Sequence, residues 1–402
     1  MALKKYIPII KLPGSKSISN RLLMIKAIAD LNFDIENMSD SDDTKLLIKA
    51  LHDIRLGKTE INIGDAGTNM RFLCAYLSCL KNKTFTLTGS DRMKERPIKE
   101  LVDALITIGA EITYLERTGF PPIKITGKEL IAPEITMKAD VSSQFISALL
   151  LVSPLLKSTK RIELNGEVVS PSYIKMTMEL MHLFGKNSNW KDDTIEIKSG
   201  SYKNDKTSIY NESDWGAASY FYSALALGDL EKIELAGLSK NSVQADSKIV
   251  ELYKMLGINS EFETDHVIIS KTTKKVDHFT FDFTDCPDIA QTLAATCVGL
   301  RITADLTGLK TLKLKETDRI IALKNELQKF GALVEITPTS LHIKGYDTIS
   351  KDTDILVNTY GDHRMAMSFA PLKFLYPDMI IENKEVVSKS FPKFWEEFAK
   401  LS

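Results

Sequence analysis

The sequence predicts an α/β fold of two similar domains, each made of three repeats whose helices are buried behind outward-facing sheets. Three observations carry that prediction. Six times a short polar loop bearing Gly, Ser or Asp runs into a helix that is apolar nearly all round. These segments start at residues 14, 64, 141, 213, 285 and 361, so the steps are 50, 77, 72, 72 and 76. A second series of helices, each ending in glycine, keeps the same period: Gly109, Gly185, Gly257 and Gly331 are spaced by 76, 72 and 74. Two independent landmarks that share a period define a repeat.

The first series reads GSKSISNRLLMIKAIA from Gly14, GDAGTNMRFLCAYLSCL from Gly64 and VSSQFISALLLVSPLL from Val141. It continues with SDWGAASYFYSALAL from Ser213, DCPDIAQTLAATCVGL from Asp285 and GDHRMAMSFAPLKFL from Gly361. A helix apolar on every face belongs inside a domain. The second series reads LVDALITIGAEITYLERTGFPPIKITG, MELMHLFGKNSNWKDDTIEIKSG, IVELYKMLGINSEFETDHVIISK and IIALKNELQKFGALVEITPTSLHIKG. In each, Gly stands where a helix stops and alternating Ile, Val and Thr begin a hairpin. The sequence thus predicts six repeats, each with two helices and a small mixed sheet. Each half forms one domain of roughly 200 residues, with a hinge at residues 210–214.

Composition excludes several classes of protein. The chain of 402 residues has 52 basic and 53 acidic side chains, a net charge of −1, with 44% hydrophobic and 26% charged residues. That is a globular balance, and it lacks the basic excess of a nucleic-acid binder. No window holds the ~18 uninterrupted apolar residues of a membrane span. The first residues show no apolar core of a secretory signal. Cys74, Cys79, Cys286 and Cys297 form no CxxC pair and have no histidine at zinc-finger spacing, so they read as reduced, buried thiols.

Repeated parallel helices would aim their N-termini, each with about half a positive charge, in similar directions, which describes an anion site between the domains. The loops that open the buried helices hold Lys16, Ser17 and Arg21; Gly67, Thr68 and Arg71; Ser142, Ser143 and Gln144; Asp288; and Asp362, His363 and Arg364. Between helices stand Arg92 and Arg96 in DRMKERP, Lys315, Glu316 and Arg319 in KLKETDR, and Lys389 in VSKSFP. Each has a plainer reading. Ser142 and Ser143 suit helix caps, GDAGT suits an ordinary strand-to-helix turn, and KETDR suits a solvated helix face. Asp288 suits a cap, and His363 a structural histidine. Their recurrence at one position of the repeat favours the anion site. The chain has no Ser-His-Asp order, no metal-ligand cluster and no cysteine beside a base. Many cations around two carboxylates, Asp288 and Glu316, fit acid–base chemistry on two anionic substrates without a covalent intermediate.

LPGSKSISNR, GDAGTNMR, DRMKERPIKELVDAL, SSQFISALL, KETDR and TYGDHRMAM, in this order, resemble the EPSP synthase (3-phosphoshikimate 1-carboxyvinyltransferase) family of enolpyruvyl transferases. The likeness runs over residues 11–394. It implies an inside-out α/β barrel with three βαβαββ-type repeats per domain. Residues 15–211 would form one domain, residues 1–14 and 212–402 the other, with the active site in the cleft between them. The implied reaction joins phosphoenolpyruvate to the 5-hydroxyl of shikimate 3-phosphate and releases phosphate, a step toward aromatic amino acids.

The resemblance also assigns residues. Lys16, Ser17, Arg21, Ser142, Ser143, Gln144, Ser170, Tyr173, Asp288 and Lys315 would bind shikimate 3-phosphate. Lys16, Gly67, Arg96, Gln144, Arg319, Arg364 and Lys389 would bind phosphoenolpyruvate. Asp288 would accept the hydroxyl proton, Glu316 would protonate the methylene carbon, and Lys16 would join them in catalysis. The family implies no metal or organic cofactor, no nucleic-acid or membrane partner, and a cytoplasmic monomer. Three positions depart from its pattern: Asp65 replaces the usual Asn, Phe72 the usual Pro, and Thr311 the Asn before KETDR. The alternative is the sister enzyme acting on UDP-N-acetylglucosamine, many of whose members carry a Cys in the loop that here reads SDRMKERP. An inactive anion-binding relative is a second alternative, against which Lys16, Asp288, Glu316 and Lys389 all stand.

Overall fold

The computed structural model describes residues 7–131, 133–158, 161–273, 276–348 and 354–401. Residues 1–6, expected at the start of the C-terminal domain, lie outside these. The chain divides into two compact units, one of Lys16–Met38 and Asp42–Asn211, the other of Met1–Ser15, Ser39–Ser41 and Glu212–Ser402.

Each apolar segment forms a helix at its predicted place: Lys16–Ala29, Gly67–Ser78 and Ser143–Val152 in the N-terminal unit, and Trp215–Leu227, Ala290–Gly299 and His363–Phe369 in the C-terminal one. All 13 residues of Trp215–Leu227 are buried. The helices form the centre of two separate apolar cores. Burying most residues of the six helices removes their apolar surface from water, which is what holds each unit together.

The sheets follow one plan. Glu60–Asn62 and Thr84–Thr88 are parallel and embrace the Gly67 helix, and an antiparallel hairpin of Glu111–Tyr114 and Ile123–Thr126 extends them. The second strand of the hairpin pairs with the parallel strand, as it does in the sheets of Glu134–Lys138 and His278–Asp282. Gly109, Gly185, Gly257 and Gly331, with φ of 105°, 73°, 88° and 79°, stop the second helix in the left-handed conformation that glycine adopts without strain.

Two repeats depart from the predicted mixed sheet. Among the described residues, the first has only Asp34–Glu36 paired with Ser208–Tyr210, and the last only Leu356–Val357 paired with Ile380–Ile381. The missing hairpin in the first repeat explains its short step of 50 residues. The strands before the two leading helices are also exchanged. Ile9–Lys11 pairs in parallel with Lys232–Ala236, while Ser208–Tyr210 joins Asp34–Glu36. The crossing is pinned within the C-terminal unit by Ser15 N donating to Glu212 O at 2.8 Å and Asp214 N to Pro13 O at 2.9 Å.

Small polar residues interrupt the apolar centre where three helices meet. Ser219 Oγ lies 3.0 Å from Thr292 Oγ1, which lies 3.1 Å from Ser368 Oγ. In the N-terminal unit Asn20 Nδ2 donates to Asn69 Oδ1 at 3.0 Å. Short side chains let the helices approach closely, and hydrogen bonds remove the cost of burying their polar atoms. Thr292→Val should therefore destabilise the protein by about 1–2 kcal/mol in urea unfolding, since Ser219 and Ser368 each lose a buried partner. An unchanged midpoint would refute the hydroxyl seam.

Candidate active site

In the N-terminal unit the candidate residues cluster at helix starts. Lys16, the first residue of its helix, donates to Asp43 Oδ2 at 2.9 Å. Arg21, one turn on, is buried; its Nε donates to Thr177 Oγ1 at 2.7 Å and its Nη1 to the Ser17 carbonyl at 2.9 Å. Its Nη2 reaches the Tyr173 carbonyl at 3.3 Å, and its guanidinium lies over the Phe72 and Tyr173 rings at 5.4 and 5.9 Å. Burial lowers its pKa to about 10, and no carboxylate forms an ion pair with it among the described residues. A buried cation without an acidic partner is poised for an anionic ligand.

Gly67 opens its helix after Ala66, which makes no side-chain cap, so the terminal N–H groups face outward. A Cβ at Gly67 would lie 2.6 and 2.7 Å from the two terminal nitrogens of Arg96. Only glycine lets that guanidinium rest on the helix start. Arg96 is itself buried, and its Nε has no hydrogen-bond partner. Arg71 braces the loop by donating to Gly67 O at 3.1 Å and Pro97 O at 2.8 Å.

Ser142 caps the next helix, its Oγ accepting from Gln144 N at 3.3 Å, so the plain capping reading holds for it structurally. Ser143 is buried behind it. Gln144 Nε2 donates to Thr68 Oγ1 at 3.2 Å, tying this helix start to the Gly67 helix. Ser170 has φ 50° and ψ 55°, a strained state for a non-glycine residue, and makes no capping bond. Its helix places Tyr173 one turn along.

In the C-terminal unit one buried arginine organises the site. Arg319 donates through Nε to Asp362 Oδ2 at 2.7 Å, through Nη1 to Asp288 Oδ1 at 3.1 Å and through Nη2 to Glu316 Oε2 at 2.9 Å. Burial works against its charge, but Asp362, Glu316 and Asp288 together raise its pKa above the ordinary value. Asp288 also takes Lys315 Nζ at 3.2 Å and Arg364 Nη2 at 3.3 Å. Lys389 Nζ lies 3.8 Å from Glu316 Oε1. Enclosure lowers the Lys315 pKa, with Asp288 opposing.

These contacts decide between the two readings of the sequence at several positions. Asp288 sits in the 3-10 turn Pro287–Ile289, and Ala290–Gly299 has no side-chain cap, so Asp288 is not a helix cap. KETDR is not a solvated face: Arg319 is buried, and Asp318 caps the helix that follows, accepting from Ile320 N at 3.1 Å. His363 is buried, with Nδ1 3.6 Å from Asp362 Oδ1.

The three departures have distinct outcomes. Asp65 is exposed and accepts a hydrogen bond from Ser90 Oγ. Phe72 forms the floor beneath Arg21. Thr311 Oγ1 is buried with no hydrogen-bond partner.

Sequence reasoning passed over Asp43, which neutralises Lys16, because it lies in the acidic run DSDD with no motif of its own. It placed Asp362 at a helix start but assigned it no role, although its carboxylate fixes Arg319. No group of three or more His, Cys, Asp or Glu side chains among the described residues is arranged to hold a metal. Among them, too, no helix is long and apolar enough to cross a membrane.

The chain is similar to known proteins over nearly its whole length. The family model for EPSP synthase (3-phosphoshikimate 1-carboxyvinyltransferase) matches residues 4–62 and 55–398. A 3-phosphoshikimate 1-carboxyvinyltransferase of Bacteroides fragilis is 44% identical over 392 residues, covering 97% of this chain and 94% of its own. One from Shewanella woodyi is 37% identical, covering 98% and 96%. The solved EPSP synthase of Acinetobacter baumannii superposes with a TM-score of 0.76 at 21% identity, covering 99% of this chain and 96% of its own. The enolpyruvyl transferase NikO of Streptomyces tendae gives 0.71 at 14%, covering 98% and 94%. These last two likenesses establish the inside-out α/β fold. The chain belongs to the EPSP synthase family.

Two outcomes follow from the contacts. With Arg96 on phosphoenolpyruvate, as the family resemblance implies, Gly67→Ala should displace the guanidinium and weaken phosphoenolpyruvate binding roughly tenfold or more, as expected when a charge-assisted hydrogen bond is lost. Calorimetry giving an unchanged affinity would remove Arg96 from the anion site. Asp362→Ala should cost about 3–5 kcal/mol in denaturant unfolding, because it strands a buried guanidinium. A loss well under that range would show that Asp288 and Glu316 alone neutralise Arg319.

Proposed function

We propose that the protein transfers the enolpyruvyl group of phosphoenolpyruvate to the 5-hydroxyl of shikimate 3-phosphate, releasing phosphate, with the two sets of residues above serving one pair of substrates. The observation that carries the residue assignment is the single buried Arg319 holding both Asp288 and Glu316 amid Lys315, Arg364 and Lys389. Two carboxylates kept close among cations suit proton transfer on anions, because the cations also bind the substrate charges.

Asp288 takes the proton of the 5-hydroxyl as its oxygen attacks C2 of phosphoenolpyruvate. Glu316 gives a proton to C3, turning the methylene into a methyl group and leaving a tetrahedral adduct. The C2–O bond to phosphate then breaks while the Glu316 carboxylate takes a proton back from the methyl group, which restores the double bond, and the proton held by Asp288 leaves with the phosphate. Arg96, Arg319, Arg364, Lys16 and Lys389 hold phosphoenolpyruvate, with the Gly67 N–H and Gln144 beside its phosphate. Ser142, Ser143, Gln144 and Ser170 hold the 3-phosphate of the acceptor. Arg21, Ser17, Tyr173 and Lys315 hold its ring and carboxylate. Preorganised cations are each worth a few kcal/mol to charge that develops in such an adduct.

Four free cysteines, three of them buried, fit a protein working in the reducing cytoplasm.

Phosphate release from phosphoenolpyruvate, measured with shikimate 3-phosphate, with UDP-N-acetylglucosamine and with no acceptor, tests the assignment. Release with shikimate 3-phosphate alone is expected. Release with the nucleotide sugar alone would overturn the acceptor, and none with either would overturn the reaction. In the same assay Asp288→Ala and Glu316→Gln should each lower turnover by about 10²–10⁴. Near-normal turnover in either would cancel its role.

A further inference from the structure

Beside Arg364 lies a carboxyl group that the mechanism above does not use. Asp246 sits in the 3-10 turn Ala245–Lys248, in a stretch, SVQADSK, that carries no motif. Gln244, immediately before that turn, is clamped on both ends of its amide. Its Nε2 donates to Glu212 Oε2 at 2.9 Å and to Ser213 O at 2.8 Å, and its Oε1 accepts from Trp215 N at 3.2 Å. Glu212 is held in turn by Trp215 Nε1 at 2.8 Å, Ser239 N at 3.0 Å and Ser242 Oγ at 2.5 Å. This network presses Asp246 onto the start of the Trp215 helix.

Gly216 marks the place. A Cβ there would lie 2.9 Å from Asp246 Oδ2, 3.0 Å from Asp214 Oδ1 and 3.2 Å from Arg364 Nη1. Two carboxyls and a guanidinium thus converge on a point that only glycine leaves open. Asp214 is engaged as a helix cap, accepting from Ala217 N at 2.9 Å, and Asp288 is engaged by its cations. Asp246 has no hydrogen bond or ion pair of its side chain among the described residues.

We propose that Asp246 is a positioning residue for Arg364: when ionised, its carboxylate competes with the anion that Arg364 binds, and when protonated it leaves the guanidinium to that anion. The groups that face it are Arg364, Asp288, Asp214 and Lys315, with the Cys286 thiol also close enough to feel its charge. Enclosure raises its carboxyl to about 7; Arg364 and Lys315 oppose the rise while Asp288 and Asp214 add to it. The group therefore changes charge near neutral pH. A bound anion favours the neutral carboxyl, so by linkage anion affinity falls as pH rises through that range.

The proposal rests on Arg364 receiving phosphoenolpyruvate, and two measurements separate it from that reading. The first is the KM for phosphoenolpyruvate at saturating shikimate 3-phosphate between pH 6.5 and 8.5, for the wild type and for Asp246→Asn. The wild-type KM should rise several-fold more than that of the variant, whose amide stays neutral, with kcat moving less than KM. The ionisation of the substrate phosphate is common to both proteins and cancels in the ratio. Parallel KM profiles overturn the proposal. The second measurement is the melting temperature of each protein from pH 4 to 8, which needs no turnover. A carboxyl raised in the folded state costs stability as pH climbs from the unfolded value toward 7, so the variant should gain on the wild type across that interval. A constant difference also overturns the proposal. If Asp246→Asn does not fold, Asp246→Ser gives the same comparison. Absence of turnover with either acceptor would count against the reaction, while the melting comparison would still report on Asp246.

Discussion

The chemistry of the C-terminal unit hangs on one buried guanidinium. Arg319 donates to three carboxylates, of which Asp362 is fully buried and the other two are partly exposed. Removing a charge from water is costly unless it is paired and hydrogen-bonded, and here the pairing is divided by function. Asp362 compensates the burial, and it also caps the His363 helix by accepting from Arg364 N at 2.9 Å. Asp288 and Glu316 are thereby held by a cation that cannot move without breaking the Asp362 pair.

Lys16, Arg21 and Arg96 of the N-terminal unit pose the opposite problem, since these three cations are held with a single acid among the described residues. Arg21 is satisfied by a hydroxyl, carbonyls and aromatic faces, and Arg96 by the space above Gly67. Of these three, Lys16 has a carboxylate partner, Asp43. One unit therefore supplies Arg21 and Arg96, buried and with no carboxylate partner among the described residues, together with helix N-termini, which suit binding. The other supplies carboxylates poised among cations, which suit proton transfer. The repeat provides both from the same scaffold, because each buried helix opens on a polar loop whose residues change from repeat to repeat.

The exchange of strands Ile9–Lys11 and Ser208–Tyr210 gives the chain a further constraint. Lys16 follows the first crossing directly, and Glu212 follows the second. Glu212 anchors both the Trp215 helix and the Gln244 loop, so the crossing is tied by hydrogen bonds to the turn that carries Asp246.

Much of this was legible in the sequence. Periodicity determined the six helices, because an all-round apolar pattern must be buried wherever it lies, and the glycines that stop the outer helices require a positive φ that is a local property. Long motifs likewise marked Lys16, Gly67, Arg96, Asp288, Glu316, Arg319 and Arg364. What the sequence left undecided was every pairing made across distant segments. Two repeats lost their hairpins and two strands changed places, which short apolar runs of similar composition do not reveal. Asp43, Asp246 and Glu212 look like ordinary surface acids in one dimension; Asp43 and Asp246 acquire meaning only beside Lys16 and Arg364, and Glu212 beside Gln244. Whether a carboxylate caps a helix, pairs with an arginine or stands unpartnered depends on which charges fold next to it. Local pattern fixes burial and turns, but electrostatic partnership is a property of three-dimensional neighbours, so only the tertiary structure decided it.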